Sequence, residues 1–397
     1  MNNATTPNAA KEKKRLLYLV TRAEHGGAQV HVLDLLRGMQ PHYNLALGVG
    51  EKGFLTDAAV ELGIPVYHLP NLVQPISPRH DFYAFRETVD IIRQFRPDLI
   101  HAHSSKAGMI GRAAGFVLRT PSVFTAHGWA FAEGVSPIRK HLSLPFERIA
   151  ALMCRTIITV SEADHALALR YQVASNHKIK VIQNGIPENP LRALPDAPGM
   201  LRIVMVARFA PPKNHLSLLR ALKAVLTKKP APVRIQMVGD GPMRRSVEEE
   251  ALRLGLGDHV EFLGVRQDIA EILAQAHLFV LTSDWEGLPI SIIEGMRAGL
   301  PVIASRVGGI SELVCEGKTG FLIPRGDEGI LQDRLERLIW DGRLRAQLGY
   351  AGRRRFEESF TLDQMLEKTM AVYEELGITR GNDDLIQPNL HQPFVVP

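Results

Sequence analysis

The residues most able to do chemistry lie in the stretch Thr282-Ser283-Asp284-Trp285-Glu286-Gly287-Leu288-Pro289-Ile290-Ser291-Ile292-Ile293-Glu294-Gly295-Met296. Gly287 and Pro289 mark a turn that opens a helix, with Pro289 in the first turn, where a missing N–H costs little. Glu286 then falls in the loop before the helix, and Glu294 on its second turn among Ile292, Ile293 and Met296. An ionised carboxylate on an apolar surface is expensive unless it finds donors. The hydroxyls of a ribose diol are such donors for Glu294, sugar hydroxyls would serve Glu286, and the free amides at the helix start favour a phosphate. Two other readings stand beside this one. Glu294 can be the partner of an arginine with Glu286 a solvated loop acid, or Asp284-Trp285-Glu286 can be an acidic metal site, which needs both acids to converge on a cation.

A second cluster is Val204-Met205-Val206-Ala207-Arg208-Phe209-Ala210-Pro211-Pro212-Lys213. A buried strand delivers Arg208 at its carboxyl end, and a proline turn delivers Lys213 at the start of the next helix. Two fixed cations at such a junction suit a diphosphate and would stabilise charge growing on a leaving group, work that a metal does elsewhere. Ordinary surface cations are the alternative. In His101-Ala102-His103-Ser104-Ser105-Lys106 the two histidines at i, i+2 point to one side of a strand, but no third metal ligand is near in sequence. The Ser-Ser-Lys helix start is the better cradle for an oxyanion or phosphate.

These residues must be positioned by alternating elements. Short β-branched runs alternate with longer amphipathic stretches, the pattern of βα units and parallel sheets. Strands are expected at 16–20, 45–49, 66–69, 99–102, 122–125, 156–160 and 180–182, then at 202–206, 234–238, 260–263, 278–281, 302–304 and 321–323. The Pro-, Ala- and Asp-rich segment between the two series reads as a linker. The division is a tail over 1–14, a Rossmann-like domain over 15–189, a linker over 190–200, a second Rossmann-like domain over 201–361, a helix over 362–376 that packs back on the first domain, and a tail over 377–397. Two doubly wound α/β domains imply a central cleft, with ligands at the carboxyl ends of the strands.

The chain has 397 residues, 45% apolar and 22% charged, the balance of a globular protein. No apolar run approaches the ~20 residues of a bilayer span, and the polar N-terminus lacks the apolar core of a signal peptide. Cys154 and Cys315, far apart in apolar surroundings, read as buried free thiols, which points to the cytoplasm. The net charge of +5 is unevenly placed, since residues 1–190 hold 21 Lys and Arg against 15 Asp and Glu. That excess favours anionic partners. No basic strand with interleaved aromatics appears, so nucleic acid is not an expected partner. In Pro137-Ile138-Arg139-Lys140-His141-Leu142-Ser143-Leu144-Pro145-Phe146-Glu147-Arg148 cations mix with apolar residues. This segment either lies on an anionic membrane surface or packs on its own domain with a basic outer face. Pro145 is expected to interrupt any long helix here.

Taken together, Glu286-x7-Glu294, Arg208 with Lys213, Val238-Gly239-Asp240-Gly241-Pro242, Asn184-Gly185-Ile186 and Gly26-Gly27-Ala28-Gln29 resemble the retaining glycosyltransferase family 4, of GT-B fold. The resemblance runs from about residue 15 to 376. It implies that Glu294 binds the ribose hydroxyls, Glu286 the donor sugar, and Arg208 and Lys213 the diphosphate. It also places Leu263, Gly264 and Arg266 at the base, Gly239 and Leu288 among the substrate contacts, and His127 near the reacting sugar carbon. Gly26 and Gly27 would let backbone approach donor phosphate and acceptor, where no Cβ is tolerated. The stretches around His103 and His127-Gly128-Trp129 resemble bacterial enzymes that extend lipid-linked oligosaccharides, which implies that Lys106 faces acceptor phosphate; a solvated Lys106 is the alternative.

The resemblance thus implies a retaining hexosyl or N-acetylhexosaminyl transfer from a nucleoside diphosphate sugar, preferably UDP-linked, to a glycan hydroxyl. The acceptor would be carried on a polyprenyl diphosphate at the cytoplasmic face of the inner membrane, with no metal or other cofactor. A double displacement needs a carboxylate beneath the anomeric carbon. None is identified, so same-face attack assisted by the departing diphosphate is favoured. The competing functions are a sugar-nucleotide epimerase of related architecture and a non-catalytic nucleotide-sugar-binding protein.

Overall fold

A computed structural model describes residues 12–381. Of the tails expected at 1–14 and 377–397, residues 1–11 and 382–397 lie outside the described residues, and Ile378 is buried in the first lobe's core. Seven parallel strands form the first sheet: β1 (Arg15–Val20), β2 (Asn44–Val49), β3 (Val66–His68), β4 (Leu99–His103), β5 (Ser122–Ala126), β6 (Thr156–Thr159) and β7 (Ile179–Val181), in the order β3-β2-β1-β4-β5-β6-β7. Six more form the second: β8 (Leu201–Val206), β9 (Val233–Val238), β10 (Val260–Gly264), β11 (Leu278–Leu281), β12 (Val302–Ser305) and β13 (Gly320–Ile323), in the order β10-β9-β8-β11-β12-β13. Every strand expected from apolar runs is present to within a residue or so at either end. β1, β4, β5, β8 and β11 are almost wholly buried, as strands covered by helices on both faces must be.

Both sheets are doubly wound, and the order of each reverses at one place, between β1 and β4 and between β8 and β11. Crevices open at such switch points because the following helices leave to opposite faces. The loops after β1, β8 and β11 therefore hold the residues singled out for chemistry. The helix Leu362–Glu375 leaves the second lobe and packs on the first, where Leu362, Met365, Met370 and Tyr373 join the core built around Leu16, Tyr18 and Leu36. Its Tyr373 hydroxyl meets Tyr18 Oη at 3.2 Å and His101 Nδ1 at 2.5 Å.

Three expectations need correction. Pro145 does not interrupt a helix: Pro137–Leu152 runs through it. The hydrogen bond lost at Pro145 is to the carbonyl of His141, one turn earlier on the same exposed face, where solvent is free to replace it. Pro289 precedes its helix as N-cap instead of lying in the first turn, and the helix is Ile290–Ala298. Both cysteines are free, but only Cys154 is buried; Cys315 is half-buried in a turn closed by the Thr319 hydroxyl.

Candidate active site between the lobes

A cavity of about 660 Å³ lies between the lobes. Ten of the twelve residues expected at a site line it: Gly26, Gly27, His127, Arg208, Lys213, Gly239, Arg266, Glu286, Leu288 and Glu294. Two helices begin at its wall without a side-chain cap or an acidic residue in the first turn: Gly27–Met39 of the first lobe and Ile290–Ala298 of the second. Their first amides, which have no partner within the helix, make two anion-attracting ends on opposite sides of one space.

The charged groups are ordered. Lys213 Nζ donates to Glu286 in a close ion pair, both side chains at most 16% exposed. Arg208, 53% exposed, reaches across the cleft to Glu24 at 3.5 Å. Glu294 is half-buried on the first turns of its helix, and burial pushes its carboxyl up, opposed by Arg297. Hydroxyl donors from a ligand would favour the ionised form and reverse that shift.

Close backbone approach explains two glycines. A Cβ on Gly287 would lie 2.6 Å from the His127 carbonyl oxygen, so the loop before Glu294 touches the loop after β5. Gly239, at φ +131°, would put a Cβ 2.2 Å from the Ala207 carbonyl. Gly27 differs: no protein atom lies within 4 Å of its Cβ position, so packing does not require glycine there.

Two expected residues are elsewhere. Lys106 donates to the Pro75 carbonyl at 3.0 Å and pairs closely with Asp81, so its charge is consumed beside the helix Pro78–Phe95. Leu263 packs against the apolar core of the second lobe instead of the cavity. A register irregularity between Phe262 and Gly264 delivers the next residues, Val265 and Arg266, to the wall. The Asp284-Trp285-Glu286 metal reading is not supported, since Glu286 is bound to Lys213 and only Glu286 of the two acids lines the cavity.

Beneath the cavity the sequence marked His103 and His127 but not the two groups that join them, His31 and Asp34. His31, His103 and His127 bring one ring nitrogen each to within 4.8 Å of one another, the composition of a metal site. His103 Nδ1 and His127 Nε2 are hydrogen-bonded at 3.1 Å, while His103 Nε2 and His31 Nδ1 are buried without a partner. Burial lowers all three, His127 to about 4, so the rings are neutral at pH 7. Buried Asp34, one turn beyond His31, is raised to about 7 by burial, with Arg37 opposing and the Glu294 charge adding. His31 and Asp34 interrupt the apolar run Val30–Leu36 at i, i+3, and that spacing was the available signal. Asn184 ties the lobes through Nδ2 to the Leu288 carbonyl at 2.7 Å.

The chain was compared with known proteins. Residues 25–189 match the model described as Glycosyltransferase Family 4, and residues 193–355 the model Glycosyl transferases group 1. EpsD of Bacillus subtilis (strain 168), named as a glycosyltransferase, is 30% identical over 76% of this chain and 83% of its own. The chain belongs to glycosyltransferase family 4. It is accordingly a glycosyltransferase of GT-B fold, and its two lobes are the halves of that fold. The Escherichia coli UDP-Gal:alpha-D-GlcNAc-diphosphoundecaprenol alpha-1,3-galactosyltransferase is 28% identical over 89% of this chain and 97% of its own. Among solved structures, Anabaena HepE in complex with UDP and glucose superposes with a TM-score of 0.79 at 24% identity, covering 91% of this chain and all of that one.

Proposed function

We propose that this glycosyltransferase moves a hexose or N-acetylhexosamine from a UDP-linked donor to a hydroxyl of a lipid-linked glycan, with retention, in surface polysaccharide assembly. The observation that carries the reading is the convergence in one cavity of Glu286, Glu294, Arg208, Lys213 and two uncapped helix N-termini. Glu294 takes the ribose diol. The diphosphate lies against Arg208, Lys213 and the amides of Gly27 and Ile290. Glu286 and His127 flank the sugar. In this arrangement the acceptor hydroxyl attacks on the face that the diphosphate leaves. Its proton passes to a diphosphate oxygen, the C1–O bond to phosphate breaks, and the cations stabilise the departing charge. Two fixed cations and two helix ends already supply positive charge, so the reading calls for no metal; chelation by EDTA should leave turnover within about two-fold. The relatives that support donor and acceptor class are the E. coli galactosyltransferase and the UDP-bound HepE fold.

Membrane contact belongs to the same proposal. No helix among the described residues is long and apolar enough to cross a bilayer. The helix Pro137–Leu152, however, turns Ile138, Leu142, Phe146, Ile149 and Leu152 to solvent, each 50–78% exposed. On its inner side buried Glu147 is bound to buried Arg112 at 2.9 Å, which fixes this orientation. Phe116 and Val117 extend the apolar face, and Arg139 and Arg148 stand beside it. A contiguous apolar stripe with flanking cations fits an anionic lipid surface.

The test is a panel of nucleotide sugars scored by thermal shift, followed by product analysis. A UDP-sugar at 100 times its Kd should add about 2.7 kcal/mol of stability. Release of UDP that depends on a glycan acceptor is expected; isomerisation of the donor alone would reveal an epimerase instead.

A further inference from the structure

A second cavity, of about 490 Å³, opens on the other side of Glu286. It is built by both lobes: Glu133 and Arg170 come from the first, and Trp285, Arg306 and Arg325 from the second. Glu286 lines both cavities, so whatever occupies the second lies next to the residue assigned to the donor sugar. The cavity's charge is not balanced. Glu286 is held by Lys213, and Glu133 faces Arg170 at 3.6 Å. Asp164 is buried, takes a hydrogen bond from Ser161 Oγ at 2.9 Å, and is raised to about 7 by burial. Arg306 and Arg325 have no ion pair or side-chain hydrogen bond among the described residues. Two exposed guanidinium groups left unpaired on one wall repel one another, and an anion placed between them removes that cost.

We infer that this second cavity binds the diphosphate of the acceptor, with Arg306 and Arg325 as the groups that read it. The inference rests on the proposed function and names a part of the acceptor that the donor cavity leaves unassigned. Guanidinium groups match phosphate oxygens with paired N–H donors, so two of them suit a diphosphate better than a single carboxylate. Position agrees with chemistry. The segment that carries Glu133 and Gly134 leads directly into the helix Pro137–Leu152, whose exposed apolar stripe begins at Ile138. A lipid lying along that stripe would deliver its diphosphate at the near end of the helix, and the glycan beyond it would extend toward Glu286.

The test is titration calorimetry of inorganic pyrophosphate into the full chain in saturating UDP, which occupies Arg208 and Lys213 first. One pyrophosphate site is expected. The double variant Arg306→Ala/Arg325→Ala should weaken it at least ten-fold with UDP affinity unchanged, and Arg306→Lys/Arg325→Lys should keep it within a few-fold. Farnesyl diphosphate should bind at least as tightly as pyrophosphate, and glucuronate much more weakly. Unchanged pyrophosphate binding in the alanine double variant would overturn the inference, as would tighter binding of glucuronate than of pyrophosphate. A chain that fails to bind UDP would break the donor reading alone. The same titration on Arg208→Ala/Lys213→Ala without UDP would then still report on Arg306 and Arg325.

Discussion

The two lobes share a winding but fill their switch points differently. Beneath the cavity the first lobe buries neutral imidazoles, His31, His101 and His103, with Asp34 beside them and His127 at the wall. The second lobe is one large apolar cluster that carries its charges at the rim, in Arg208, Lys213 and Glu286. Its buried His215 is stacked on Phe209 at 4.1 Å. A fixed charge at the rim serves a ligand whose charge is permanent, as in a diphosphate. A buried neutral ring can shape a pocket and donate or accept one hydrogen bond without adding charge. The permanent cations at the rim thus come from the second lobe, while the first contributes neutral rings and one helix N-terminus.

The strongest way to break this comparison is to remove the rim charges. Arg208→Ala with Lys213→Ala should lower turnover by roughly 10²–10³-fold, the scale seen when a single preorganised donor to a developing charge is lost. Turnover within a few-fold of wild type, measured by UDP release, would return the electrostatic role to some other group. Lys213→Ala alone should also lower the melting temperature, because it strands the partly buried Glu286 without its cation.

A pair of glycines sharpens the division. Gly287→Ala should cost about ten-fold or more in turnover, since its Cβ would collide with backbone of the other lobe and displace His127. Gly27→Ala meets no crowding neighbour and stands at the first position of a helix, where alanine is no worse a former than glycine. It should therefore keep or raise the melting temperature while raising the donor KM several-fold. A Gly27→Ala enzyme with unaltered KM would remove the ligand-approach argument.

Acid stability tests the buried imidazoles. Burial lowers His101 to about 3 and His127 to about 4, and lowers His31 and His103 in the same direction. Unfolded imidazoles titrate near 6.5, so below that pH the unfolded chain takes up protons that the folded lobe refuses. The stability present above pH ~6.5 is thus lost on acidification toward pH ~4. Asp34 and Asp164, raised to about 7, act with the opposite sign over the same window, because the folded state holds their protons. Glu294 is raised by burial as well, but the imidazoles lowered by burial, His215 with the four of the first lobe, outnumber the raised carboxyls, so melting temperature should fall from pH 7 to pH 5. In Asp34→Asn the opposing slope is weakened and the fall should be steeper. A flat profile would mean that the rings are not buried neutral.

The smallest effect is expected at Lys106→Ala. Its charge is spent on Asp81 and the Pro75 carbonyl, away from the cavity. Turnover should stay within two-fold, even though the melting temperature falls as partly buried Asp81 loses its cation.

How much of this was legible in the sequence varies with the range of the physics involved. The parallel sheets followed from period and apolar runs, because a strand buried on both faces must be apolar throughout. Glu286, Glu294, Arg208 and Lys213 were readable because each lies at a strand end or helix start, and local signals mark such ends. Lys106 was misplaced for the opposite reason. Its helix start was recognisable, but Asp81, 25 residues away in sequence, was the partner that took its charge. Leu263 was misplaced because a one-residue irregularity decides which side chains of an edge strand face the cleft.

Composition, periodicity and local turn chemistry are short-range properties, and they alone determined two doubly wound lobes and the carboxylates and cations at their strand ends. Tertiary structure decided everything that depends on which segments become neighbours. It gathered His31, His103 and His127, set Gly287 against His127, ran the helix through Pro145, and left Arg306 and Arg325 in one cavity without an ion pair among the described residues. Those outcomes depend on contacts between residues tens to hundreds of positions apart, and no local pattern encodes the distance between two such side chains.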